Sequence, residues 1–277
     1  MMKTVISASR AAASVLGRGQ QGLGWTIVVV ALSLATWFEM LIVMGNMDEG
    51  PGTPLHDLPT YLTGWVVMLT AMMLPSELNY ITAFAGMLKS RGSKPITQAQ
   101  RMTCFIAGYG VAWVSYGLAA YLLDSAIRSF GLEFLAWNRM GPYWAGAVLI
   151  VAGAFQLSSL KNVCLTGCRS PFSFFARYWR GGNVGAVLMG ARHGMVCVGC
   201  CWALMAVMFA VGVMSPTWMA LLTLLMFAEK VLPNGQKLAT PIAVFLVVMG
   251  MWIAISPDTL PLLKNPLLPS MSVSHVH

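Results

Sequence analysis

Five of the six cysteines in the chain fall in two short runs. The first reads Lys161-Asn162-Val163-Cys164-Leu165-Thr166-Gly167-Cys168-Arg169, and the second Cys197-Val198-Gly199-Cys200-Cys201-Trp202. Cys164 and Cys168 are four residues apart, so on a helix they share a face. His193, Cys197 and Cys201 repeat that spacing, and Cys200 is three residues from Cys197. Two such faces brought together offer four thiolates and an imidazole, the donor set for Zn(II), Cu(I) or an iron–sulfur cluster. Arg169, Arg192 and the N-terminus of a helix beginning near Gly194 would favour the thiolate form. Cys164, Cys168, Cys197, Cys200, Cys201 and His193 are therefore the candidate metal ligands. Thiol–disulfide exchange competes with this, because C-x-x-C is also a redox motif. The doubled Cys200-Cys201 suits a soft-metal site better than a simple redox pair. The plainest alternative is packing, since free cysteine is a small and commonly buried apolar residue.

A second set of residues has matching softness or charge. Met68 and Met72 share a helical face, and Met73 follows. Met40, Met44 and Met47 form a similar stripe, and Met205 and Met208 continue the run after Cys201. Thioethers select Cu(I), although methionine also fills gaps in any core. Acids in apolar segments cost up to roughly 3.5 kcal/mol to insert, so each asks for a role. Glu39 lies deep in the first apolar segment, Glu77 follows Pro75, and Glu229 stands beside Lys230, its expected partner. Glu39, Met68, Met72, Met73 and Glu77 make up a candidate intramembrane relay, with Gln156 a further polar candidate. His56, His275 and His277 read as solvated loop and tail residues. No P-loop, H-E-x-x-H or G-x-S-x-G motif is present, which excludes an ATP-driven pump for this chain alone.

The elements that must position these residues are apolar helices. Of 277 residues, 57% are hydrophobic and 9% charged, and the mean hydropathy is +0.71. An average soluble domain is about 25% charged, so a soluble globule and a disordered chain are both excluded. A bilayer span needs about 20 apolar residues. Seven segments approach that length: 25–45, 61–88, 103–123, 142–160, 195–214, 216–232 and 237–255. The expected fold is an all-α, polytopic transmembrane helical bundle of about seven spans. Pro75 is expected to kink or break the second segment. The sixth is short, and only Met214-Ser215-Pro216 joins it to the fifth, so it can be a hairpin that does not fully cross. Residues 1–24 read as a cytoplasmic segment leading into a retained anchor, 25–256 as the transmembrane domain, and 257–277 as a Pro-rich extracytoplasmic tail.

Basic residues alternate along the loops. Lys3, Arg10 and Arg18 precede the first span, whereas the next loop holds Asp48, Glu49 and Asp57 with no Lys or Arg. Lys89, Arg91, Lys94 and Arg101 follow the second span, and Lys161, Arg169, Arg177, Arg180 and Arg192 follow the fourth. The positive-inside rule then sets the N-terminus in the cytoplasm of a bacterial-type inner membrane. The net charge of +8 becomes orientation and contact with anionic lipid, and nucleic acid is not an expected partner. On this topology the thiols lie near the cytoplasmic face, where they stay reduced, so a structural disulfide framework is not expected.

The chain resembles the DUF2182 family, described as predicted metal-binding integral membrane proteins. The resemblance rests on Ala71-Met72-Met73-Leu74-Pro75, on Gly153-Ala154-Phe155-Gln156, and on Lys161-x-x-Cys164-Leu165-x-x-Cys168-Arg169-x-Pro171. It continues through Gly190-x-x-His193-Gly194-x-x-Cys197-x-Gly199-Cys200-Cys201-Trp202-x-Leu204-Met205 and Glu229-Lys230, and spans about residues 25–255. It implies a metal-binding membrane protein without naming the metal. Thiolates and clustered thioethers together favour copper, with zinc the alternative. The expected role is metal transfer, storage or delivery to a membrane enzyme. The expected partners are the lipid bilayer and another membrane protein or a metallochaperone. A membrane thiol–disulfide oxidoreductase and an accessory subunit of a larger membrane complex are the rival readings. The short loops leave little surface for a conventional enzyme.

Overall fold

A computed structural model describes residues 23–42, 55–129, 141–211, 216–232 and 234–256. Most of the N-terminal segment, the Pro-rich tail, Met44, Met47, Asp48, Glu49, Met214, Ser215, His275 and His277 lie outside the described residues. Every regular element among the described residues is a helix, as the sequence predicts. In chain order they are α1 (Leu23–Ile42), α2 (Leu58–Met72), α3 (Leu78–Ser90), α4 (Pro95–Ser129) and α5 (Gly141–Gln156). Then follow α6 (Ser159–Arg169), α7 (Pro171–Tyr178), α8 (Gly182–Val211), α9 (Pro216–Val231) and α10 (Ala239–Ile255). Short 3-10 turns, Leu74–Glu77 and Gly235–Leu238, precede α3 and α10.

Local chemistry explains the breaks. Asp57 caps α2, its carboxylate accepting from the Thr60 amide at 3.4 Å. Pro75 has no N–H to give to the helical ladder, so α2 ends at Met72 and the chain resumes in α3 at an angle of 50°. The second segment is thus broken rather than merely kinked. Ser158 accepts from the Lys161 amide at 3.1 Å and starts α6 at 67° to α5. Pro171 opens α7 directly after α6, a position where its missing donor costs nothing.

Among the described residues, four helices are long and apolar enough to cross a bilayer: α1, α4, α8 and α10 with its leading turn. The number rises to six if each bent pair, α2 with α3 and α5 with α6, is one span. The remaining segment of the expected seven is α9, whose 16 residues reach about 24 Å at 1.5 Å per residue, short of a hydrocarbon core of about 30 Å. Seven is therefore an approximate count. Outward faces are apolar, with Phe38, Leu34, Leu123, Val151 and Ile255 all exposed, which is compatible with a lipid environment.

Glycines bring the central helices together. A Cβ on Gly190 would overlap the Phe105 carbonyl, and one on Gly108 the Val187 carbonyl, so α4 and α8 cross backbone to backbone. Gly146 and Gly250 do the same for α5 and α10. Two cores result. One holds the thiols and methionines of α2, α6, α8 and α9; the other is aromatic, built on Tyr80, Phe84, Phe105, Phe174 and Phe175.

Candidate metal centre

The last turn of α6 lies against the middle of α8. It can do so because the contact is bare on both sides: a Cβ on Gly167 would lie 2.9 Å from the Val196 side chain, and one on Gly199 2.8 Å from Cys164 Sγ. This approach carries Cys168 to Cys197 and Cys200. Their three Sγ atoms all lie within 4.8 Å of one another, with Cys168 Sγ 3.5 Å from Cys200 Sγ. Metal–sulfur bonds of about 2.3 Å hold ligand sulfurs about 3.8 Å apart, so small side-chain adjustments would let one ion bind all three. Cys201 Sγ is 3.3 Å from Cys200 Sγ and adds a fourth thiol at the edge. All six cysteines are free thiols. Cys168, Cys197, Cys200 and Cys201 are buried. Cys164 is half-buried and stands outside the three-thiol group, packed at Gly199. Cys104 packs beside the aromatic core, apart from the others.

A buried ionic network adjoins the thiols on the α9 side. Lys230 Nζ donates to Glu77 Oε1 at 2.8 Å, to Cys197 Sγ at 3.0 Å and to Ser76 Oγ at 3.1 Å. The other Glu77 oxygen meets His193 Nε2 at 2.5 Å. The Tyr109 hydroxyl lies 3.2 Å from Cys197 Sγ and donates to Glu77 Oε1 at 3.4 Å. Tyr80 stacks on the His193 ring at 3.7 Å and its hydroxyl donates to the Gly167 carbonyl. The aromatic core thus fixes the imidazole, and the same tyrosine ties it to the turn that carries Cys168.

The sequence-predicted residues divide as follows. Cys168, Cys197, Cys200 and Cys201 are brought together, with Cys164 one turn away. His193 faces Glu77 and reaches the thiols through that carboxylate. Met68, Met72 and Met73 are buried in the same core as the thiols, joined by Met205, Met208, Met219 and Met226. Glu77 belongs to the site, 3.5 Å from Cys197 Sγ. Glu39 is exposed on the outer face of α1 and does not join them. Gln156 is buried, and its amide has no hydrogen-bond partner among the described residues.

The expected Glu229–Lys230 pairing is corrected. Neighbours on a helix point about 100° apart, and each residue takes a different partner. Glu229 accepts from Lys161 Nζ at 2.6 and 2.8 Å, while Lys230 goes to Glu77. Arg169 donates to the Glu229 and Leu232 carbonyls, clasping the end of α9 to α6. The two lysines, Tyr109 and Tyr80 escaped the sequence reading of the site. A signal existed for the lysines, since a cation in an apolar helix is as costly to insert as an acid. None existed for the tyrosines, since Tyr80 meets Gly167 87 residues away and Tyr109 meets Cys197 88 residues away.

The profile of one protein family, described as PpoB2, copper chaperone, matches residues 62–253, a stretch that includes the clustered thiols, Glu77, His193 and Lys230. No curated protein and no solved structure matches the chain.

Proposed function

The chain belongs to the PpoB2 copper chaperone family, and from that premise we propose that it is an integral membrane protein that takes copper as cargo at Cys168, Cys197 and Cys200 and delivers it to a membrane enzyme. The observation that carries this reading is the buried group of three thiols drawn from two helices. Soft thiolates select Cu(I), the form of copper a reduced thiol site holds. Cys201 and Cys164 extend the group by one thiol on either side. Transfer then proceeds by ligand exchange: an incoming thiolate or thioether replaces one sulfur at a time, so copper is never released free. The Met68, Met72, Met73 and Glu77 side of the core supplies further soft or anionic donors along α2 and its turn. His193 acts through Glu77, holding the carboxylate that contacts Cys197. The N-terminus is cytoplasmic, on the parity of the basic loops.

The test is copper binding by detergent-purified protein reduced under anaerobic conditions. The proposal expects bound Cu(I) that is lost when Cys168, Cys197 and Cys200 are replaced by Ser. Protein that takes up no copper but forms paired disulfides on mild oxidation would instead support a thiol–disulfide oxidoreductase. Tight zinc with no copper would make zinc the cargo.

A further inference from the structure

Lys230 is the unusual member of the site. Lys230 Nζ sits 3.0 Å from Cys197 Sγ and is buried, so a positive charge is held directly beside a candidate metal ligand. An ammonium has three donors, and all three are used, on Cys197, Glu77 and Ser76. Its position is therefore fixed, and α9 is clasped just before it by the Lys161–Glu229 pair. We propose that Lys230 is a charge filter: it makes the three-thiol site prefer the monovalent soft ion, Cu(I), over divalent thiophilic ions such as Zn(II). This inference rests on the copper reading of the same site.

The filter is electrostatic. An ion bound to Cys197 with a bond of about 2.3 Å lies within about 5.3 Å of Nζ, whatever its direction. At an effective dielectric constant of about 20, each unit of charge on that ion weakens binding by about two orders of magnitude. A divalent ion meets twice the repulsion of a monovalent one. Glu77 opposes this effect, but its oxygen is farther from the sulfur, 3.5 Å against 3.0 Å. The two terms nearly cancel, so a preference of about twofold for the single charge survives, and the larger effect of Lys230 is to offset the roughly hundredfold advantage that Glu77 alone would give a divalent ion. Neither Tyr109 nor Ser76 carries a charge that would alter the balance, and His193 faces the far oxygen of Glu77.

The test measures Cu(I) and Zn(II) affinities of the full chain in detergent by competition with chelators of known affinity. The ratio of the two is the readout, because the cost of forming the thiolates and any general loosening of the fold fall on both ions. Lys230→Met should lower the Cu(I)/Zn(II) ratio about a hundredfold, while Lys230→Arg, which keeps the charge, should hold it within about threefold. Lys230→Met strands Glu77, so the double variant Glu77→Gln/Lys230→Met is measured as well. It removes both charges, whose effects nearly cancel, and should return the ratio to within about threefold of wild type. A ratio unchanged in Lys230→Met overturns the proposal, as does a double variant whose ratio falls as far as that of Lys230→Met, or a Lys230→Arg ratio as low as that of Lys230→Met. Wild-type protein that binds no Cu(I) overturns the copper reading itself. Wild-type protein that binds copper, with a ratio indifferent to Lys230, overturns only the filter.

Discussion

Replacing Lys161 by Met would strand the carboxylate of Glu229 in the interior of the bundle. Both side chains of the pair are 1% exposed, and the ammonium contacts both carboxylate oxygens, at 2.6 and 2.8 Å. Arg169 offers no substitute, because its guanidinium is committed to backbone carbonyls of Glu229 and Leu232. Removing one partner of a buried pair costs about 3–5 kcal/mol, since the other charge stays desolvated. For a chain of this size, 1 kcal/mol moves the melting temperature by roughly 2–4 °C, so Lys161→Met should lower it by roughly 6–20 °C. Glu229→Gln should cost a comparable amount. The double variant Lys161→Met/Glu229→Gln removes both charges and should recover most of the loss, because a buried ion pair is close to neutral against a neutral replacement. The assay is thermal unfolding of the detergent-solubilised protein, followed by circular dichroism. A single variant within 2 °C of wild type, or a double variant as unstable as the single, would refute the reasoning.

Other perturbations follow from the same geometry. Gly190→Ala should destabilise by about 1–3 kcal/mol or more, because its Cβ meets the Phe105 carbonyl. Gly110→Ala, with nothing within 4 Å, should be close to neutral, and parallel thermal melts compare the two. Cys104→Ser should leave copper stoichiometry unchanged by elemental analysis, since Cys104 packs with the aromatic core and not with the thiols. The hydrogen bond to Thr60 holds the Asp57 carboxyl below the usual carboxylate range. Its helix-capping contribution is therefore fully present above the unfolded-state value and fades as pH falls through the lower folded-state value. Melts of wild type and Asp57→Ala should differ at neutral pH and converge in acid.

Helical class, the break at Pro75 and the shared face of Cys197, Cys200 and Cys201 could be read in the sequence because each depends on local spacing. Cys197, Cys200 and Cys201 share a face through helix geometry alone, and Pro75 lacks a donor wherever it stands. Pairing across the bundle depends on which helices meet, and spacing does not encode that. Glu229 and Lys230 illustrate the difference: adjacent in sequence, they diverge to Lys161 and Glu77, 68 and 153 residues away. His193 shares a helical repeat with Cys197, yet the stacking of Tyr80 turns it toward Glu77. Glu39 lies deep in an apolar segment, but depth does not say which face a residue occupies, and it lies on the outer one. The count of spans was limited in the same way, because the 16-residue α9 is apolar enough to suggest a span and too short to complete one.

The central claim is that Cys168, Cys197 and Cys200 hold copper as cargo. Anaerobic Cu(I) titration of the purified protein, with elemental analysis after desalting, tests it most directly. One copper ion should be retained per wild-type chain and none in the Cys168→Ser/Cys197→Ser/Cys200→Ser variant, with the helical circular dichroism signal unchanged. Wild-type protein that retains no copper, or a triple variant that retains as much as wild type, would contradict it.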